Sequence, residues 1–295
     1  MFHNTYDRFQ GSWWGAIVAQ GLIGKSITSP DLHRQSWLVQ RRQLATILLN
    51  LEAPDLSPVS HDDIHLLSIL PLIIFSTAPL RFYLDKIFPH TSDSKLNQIK
   101  MRQDLLGWEY LLNQVLKHKF MPLAQNHLGD EVNEHIQDIE NWLAEQLELV
   151  SELIKAGASL NLAIEKLSVA ETSTSTAIAL AWYCFATTPQ NFNLSVRKAA
   201  HVSKNFAWLT IALTGTLSGA YNGMAEISRF WRANENSHDQ QLEHHLCKKL
   251  FAEWSGIYGD SQQFLNLNPN LAAVALPRII QPRLNLKIIS QISDI

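Results

Sequence analysis

The side chains of this sequence best suited to chemistry are two adjacent carboxylates, Asp62 and Asp63, with His61 and His65 beside them. Carboxylates and imidazoles can transfer protons or hold a metal ion. The two histidines are four residues apart, so one helical face could direct both toward one metal. No third ligand is evident nearby, and Ser60 before the acidic pair is typical of a helix N-terminus. We therefore expect a partly exposed helix start here.

The sequence lacks the motifs of several other common chemistries. It contains no G-x-S-x-G, Walker A or G-x-G-x-x-G pattern. Its two cysteines, Cys184 and Cys247, lack C-x-x-C spacing, which favours reduced thiols in an intracellular protein. The formal net charge of −3 argues against general nucleic-acid binding. The N-terminus shows no basic segment followed by an apolar one, so we expect no secretion signal and a cytoplasmic location.

Two stretches of small residues are the elements that must position any site. The stretch Ser195–Gly223 is almost uncharged from Phe206 to Ala220, and its Gly215, Gly219 and Gly223 recur at a spacing of four residues, which places them on one helical face. Gly11 and Gly15 repeat that spacing near the N-terminus. Such glycines allow another backbone to approach closely. Threonines interrupt the central apolar run, which favours a buried core helix over a membrane span.

These two stretches resemble the ADP-ribosylglycohydrolase family. The N-terminal one resembles the family's opening motif, R-x-x-G-x-x-x-G-x-A-x-G-D-A-x-G. The central one, with Ile227 and Trp231 after it, resembles the later motif G-A-L-A-G-A-Y-x-G followed by I-P-x-x-W. The resemblance covers roughly residues 8–232. It implies a compact, all-helical single domain.

The resemblance also locates a metal site whose ligands this sequence has lost. Members of the family hold two Mg²⁺ ions with carboxylates, and the metals orient the ribose and help to activate water. In the two glycine-rich motifs these carboxylates fall on Gln20, Phe206 and Trp208, with Asn205 preceding the last two. None of these residues is a carboxylate. The resemblance therefore implies neither a metal nor another cofactor in this chain.

A third family motif, T-D-D-T, has two candidate matches. The match to Val39–Arg42 places Gln40 and Arg41 at the two aspartates, and an arginine there would repel Mg²⁺. The rival match, His61–Ile64, retains two carboxylates. We prefer the first because it leaves L-L-S-I-L-P-L aligned with the family's proline segment. Neither match restores the ligands lost near Trp208.

We call the residues at these positions and beside them the remnant cleft: Gln20, Gln40, Arg41, Arg42, Asn205, Phe206 and Trp208. Close packing disfavours an empty cavity, so we expect Phe206 or Trp208 to fill it, near the helix that carries Arg41. A buried arginine needs a partner. We expect Arg41 or Arg42 near the mouth of the cleft, paired with a carboxylate, an aromatic face or an anion.

The pattern along the chain predicts an all-α fold of many helices. Apolar residues spaced by three or four predict helices at residues 32–52, 98–120, 131–156, 159–167, 172–186 and 241–254. We expect one helical domain over residues 1–258, with residues 259–295 as a tail packed on it or extending from it.

Three functions are compatible with the sequence. The first is a pseudoenzyme that resembles an ADP-ribosylglycohydrolase and binds an unknown protein partner. The second is a metal-independent sensor of a nucleotide, ADP-ribose or an anion in the remnant cleft, with Arg41 or Arg42 supplying positive charge. The third is a hydrolase with different chemistry that uses Asp62, Asp63 or Glu171 as acid or base.

Overall fold

A computed structural model of the protein describes residues 5–23, 30–49, 66–75, 80–87, 95–117, 142–168, 173–202, 207–231 and 238–255. Every regular element in these ranges is an α-helix and no strand occurs among them, which confirms the predicted all-α class. The helices are α1 (Thr5–Ile23), α2 (Pro30–Leu49), α3 (Leu70–Phe75), α4 (Leu80–Ile87), α5 (Lys95–Lys117), α6 (Trp142–Lys155), α7 (Leu160–Leu167), α8 (Ser173–Ala186), α9 (Phe192–Ala200), α10 (Ala207–Asn222), α11 (Met224–Trp231) and α12 (His238–Ser255).

Helix periodicity located most of these elements to within a few residues. The helices predicted at 159–167, 172–186 and 241–254 are confirmed as α7, α8 and α12. Gly157, just after α6, adopts a left-handed φ of 61°, which suits a glycine after a helix. The predicted tail at 259–295 lies outside the described residues, so the domain boundary stays a prediction.

Helices α1 and α10 form an antiparallel pair at the centre of the fold. A Cβ built on Gly15 would overlap the carbonyl oxygen of Gly215, and one on Gly11 would overlap that of Gly219. The two backbones therefore touch with no side chain between them. Most residues of α10 are buried, which confirms the predicted core helix. Within the described ranges, no helix has the length and apolarity needed to cross a membrane.

Arg8 of α1 contacts the C-terminal ends of α10 and of a further helix, α5. Its buried guanidinium donates from Nε to the carbonyl oxygen of Ala220 at 2.8 Å and also hydrogen bonds to the carbonyl of Val115. These carbonyls lie in the last turns of α10 and α5, where helical carbonyls lack intrahelical partners and favour a cation. One side chain of α1 thus caps both helices.

The remaining helices pack in two groups around the central pair. Helix α8 packs against α6, α7, α9 and α10, and Asn191 caps the start of α9 by accepting from the Leu194 backbone N–H at 2.9 Å. Helix α12 packs against α1, α2 and α3. This second group contains the ion pairs of Arg41 and Arg42 with Glu243.

Candidate functional site

The candidate site is centred on Arg41, a residue of the predicted remnant cleft. Arg41 is 0% exposed. Its guanidinium carbon lies 4.3 Å from the ring centroid of Trp13 and 4.9 Å from that of Trp37. One guanidinium nitrogen donates to the backbone carbonyl of Trp13 at 3.0 Å, and the other forms an ion pair with Glu243. The cation is therefore enclosed by two indoles and one carboxylate.

Glu243 of α12 joins three helices through this cluster. The residue is 2% exposed. Its carboxylate accepts from Trp13 Nε1 at 2.9 Å and from Arg42 Nε at 2.7 Å, in addition to Arg41. Trp13 belongs to α1 and the two arginines to α2. A single carboxylate thus fixes α12 against both helices.

The charges of Arg41 and Glu243 in this cluster are buried and interact with other groups inside the protein. Burial lowers the pKa of Arg41 and the charge of Glu243 opposes that effect, but a guanidinium stays protonated in proteins. Burial also raises the pKa of the neighbouring Cys247 thiol, so this cysteine is a poor nucleophile. No group of three or more His, Cys, Asp or Glu side chains able to hold a metal occurs within the described ranges.

Local sequence explains why these charges are buried. Trp37, Arg41, Leu44 and Ala45 form the buried stripe of α2, at the spacing of an amphipathic helix face. Glu243 is likewise followed at that spacing by buried residues of α12. Arg41 and Glu243 each occupy a position where the amphipathic pattern of the helix predicts an apolar side chain. An arginine and a glutamate at such positions are the sequence signal for this pair, and our sequence analysis missed Glu243, Trp13 and Trp37.

The other predicted site residues are not all gathered here. Arg42 lies beside Arg41, with 23% of its side chain exposed. Gln20 and Gln40 are half-buried, and each has a buried amide oxygen that accepts no hydrogen bond. Trp208, in the first turn of α10, is half-buried and packs against the core. Asn205 and Phe206 lie outside the described residues, as do Asp62, Asp63, His61 and His65.

Arg41 lies on the side of α1 that faces away from α10, the helix that carries Trp208, and the expected packing of Trp208 near the helix of Arg41 stays a prediction. Trp13 is about 160° around α1 from the glycines that face α10, since each residue turns the helix by about 100°. Arg41 packs on Trp13, so it lies on the face of α1 opposite to α10. Arg41 is also buried, and not at the mouth of a cleft. Its predicted pairing with a carboxylate and an aromatic face is confirmed.

Comparison with known proteins adds no further constraint, because no family model, no curated protein and no solved structure matches this chain.

Proposed function

We propose that the chain is a non-catalytic relative of the ADP-ribosylglycohydrolases that acts by binding a protein partner. The observation that supports this most is the state of Arg41, which stands at a position that the resemblance assigns to a metal-binding aspartate. It is a buried cation that is paired with the carboxylate of Glu243. A divalent cation gains nothing from such a position, since it needs several oxygen ligands and is repelled by the guanidinium.

The ion pair also gives this position a structural role. A buried arginine without a counter-charge is strongly unfavourable, so the fold depends on the carboxylate that α12 supplies. A position that once held a metal ligand can take part in a structural ion pair between helices when catalysis is no longer needed. The protein then keeps the helical scaffold and offers its surface to a partner.

A ligand sensor is the second candidate, and buried polar atoms without partners favour it. The amide oxygens of Gln20 and Gln40, Nε of Arg41 and Nε1 of Trp37 are buried and form no hydrogen bond. Buried polar atoms are normally satisfied, so a bound water or a small ligand would complete them. Arg41 itself is already paired with Glu243, which leaves less charge for an external anion than the sequence suggested.

Turnover and thermal-shift measurements on the purified protein separate these functions. We expect no hydrolysis of ADP-ribosylated protein or of free ADP-ribosyl compounds, with or without Mg²⁺, and no shift in melting temperature with ADP-ribose. Stabilisation by ADP-ribose without metal would support the sensor. Metal-dependent turnover would contradict the proposal and favour the rival alignment to Asp62 and Asp63.

The partner itself is tested with purified components. A protein recovered with the chain from its native cells should rebind the purified chain at a fixed stoichiometry in titration calorimetry. The variant Glu243→Gln weakens the ion pair with Arg41 and leaves the surface unchanged. It therefore shows whether binding of the partner needs the folded scaffold. Failure of every recovered protein to rebind would contradict the partner function.

A further inference from the structure

A second buried charge-bearing group lies far from the Arg41 cluster, at the contact between α5 and α8. Asp104 of α5 is 5% exposed. Its carboxyl accepts a hydrogen bond from Ser175 Oγ, in the first turn of α8, at 2.6 Å. Lys100, one turn earlier on α5, is the cation that acts on it, but it forms no ion pair with Asp104 in the part of the chain that the structure describes.

The helices that pack against α5 provide little other charge. Helices α3, α8 and α10 contain no Asp, Glu, Lys, Arg or His, and their titratable groups are Tyr183, Cys184 and Tyr221. Helix α6 carries Glu145, Glu148, Glu152 and Lys155, all exposed. The remaining titratable groups are Arg8 of α1, which hydrogen bonds to the Val115 carbonyl of α5, Arg81, Tyr83, Asp85 and Lys86 of α4 and, on α5 itself, Lys95, Arg102, Glu109, Tyr110 and Lys117.

An ionised carboxylate in such surroundings is costly, because burial removes the water that would stabilise its charge. Burial raises the pKa of Asp104 to about 7, and the Ser175 hydrogen bond and Lys100 oppose that rise. The carboxyl therefore exchanges its proton with water near neutral pH. The proton leaves to solvent when the contact between α5 and α8 opens.

We propose that the contact between α5 and α8 is a pH-sensitive joint, which stays closed while Asp104 carries a proton and opens more readily when that proton is lost. The contact pairs the carboxyl of Asp104 on α5 with the hydroxyl of Ser175 on α8. Loss of the proton therefore leaves a buried negative charge in the closed state only. The open state is unaffected, since its carboxylate is hydrated.

The two cysteines provide a reporter and an internal reference for this joint. Cys184 lies buried on α8, and Cys247 lies buried on α12, which packs against α1, α2 and α3. Each reacts with a thiol probe only when its surroundings open. The labelling rate of Cys184 therefore measures opening of α8, and that of Cys247 measures opening of a different part of the core.

The experiment labels both thiols of the full chain with 4,4′-dithiodipyridine at pH 4 to 8.5 and follows each by mass spectrometry. Rates in the wild type are divided by those in Asp104→Asn, so the intrinsic pH dependence of the thiols cancels. For Cys184 we expect this ratio to rise by up to about tenfold per pH unit from about pH 4 to pH 7 and to be constant above. For Cys247 we expect a much smaller rise.

Two further variants keep the test decisive. Ser175→Ala retains the carboxyl and removes its donor, so the rise in the Cys184 rate should extend to higher pH than in the wild type. Glu109→Gln changes another buried carboxyl of α5 and should keep the wild-type profile. A Cys184 ratio that does not change with pH would overturn the joint. So would an equal rise at Cys247, which would show that only global unfolding responds.

Discussion

Arg41 illustrates at the scale of a single residue how a charge can be incorporated into a hydrophobic core. It occupies the buried stripe of α2 and is stacked between two indoles. Such an arrangement stabilises the cation. The net contribution of a buried ion pair to stability is nevertheless smaller than the destabilisation that follows when only one partner is removed. The large effect comes from removing one partner and leaving the other charge buried. Glu243 is therefore the residue on which this core depends most.

Glu243→Leu should lower the free energy of unfolding by about 3–5 kcal/mol, because it leaves Arg41 buried without its carboxylate. Guanidinium chloride unfolding followed by circular dichroism measures this loss. Arg41→Met combined with Glu243→Leu removes the stranded charge, so the double variant should be more stable than Glu243→Leu alone. A double variant whose losses simply add would show that the two side chains are not coupled.

The pH dependence of stability offers a second test at this scale. The pKa of Asp104 is raised to about 7 in the folded protein, whereas an unfolded aspartate titrates near 3.9. A raised pKa in an acid means that the folded state binds the proton more tightly. The resulting stability is present below about pH 4 and is lost as the pH rises to about 7.

The wild type should therefore lose roughly 2–4 kcal/mol of stability relative to Asp104→Asn between pH 4 and pH 7. Urea unfolding of both proteins across this range measures the difference. If the two unfolding free energies instead run parallel at every pH, Asp104 does not hold its proton in the folded state.

At the scale of elements, direct backbone contact defines the central pair of α1 and α10. Gly15 and Gly215 meet with no room for a Cβ, so a side chain at either position would force the two helices apart. This contact also fixes where the other face of α1 points. Because Trp13 lies on that opposite face, the glycine seam determines the side on which α2 and α12 assemble with Arg41.

Gly15→Ala should destabilise the protein by about 1–3 kcal/mol or more, because the two helices must move apart to admit the methyl group. Gly21→Ala is a matched control on the same helix, since a Cβ there meets nothing within 4 Å. Alanine favours helix, so this control should leave stability unchanged or raise it by up to about 1 kcal/mol. Thermal unfolding of the two variants makes the comparison. Equal effects would refute the close contact.

The sequence predicted the positions of the helices better than it predicted which residues of different helices contact each other. The spacing of Gly11, Gly15, Gly215 and Gly219 indicated close-packing faces, and the structure pairs those faces with each other. The partner of Arg41 could not be predicted in this way, because Glu243 lies on another helix about 200 residues later and no periodicity relates the two. The expected packing of Trp208 near the helix of Arg41 relied on the resemblance and not on the helix faces, and it stays a prediction.

At the scale of the whole molecule, the described helices form two groups on either side of the α1/α10 pair. One group contains α8, which carries no Asp, Glu, Lys, Arg or His, and the proposed joint at Asp104. The other contains α2 and α12, with the buried ion pair of Arg41 and Glu243. Both Asp104 and Arg41 are buried side chains that hydrogen bond to residues of neighbouring helices.

The central claim, that the site implied by the resemblance no longer binds metal, is tested most directly by titrating the purified protein with Mn²⁺ in place of Mg²⁺. Electron paramagnetic resonance reads the free ion, whose signal falls when the ion is bound. We expect the signal to follow the buffer control up to millimolar Mn²⁺, because the resemblance assigns the ligand positions to residues such as Arg41 and Trp208, which are not carboxylates, and Arg41 is already paired with Glu243. Loss of signal that corresponds to two tightly bound ions per chain would contradict the account.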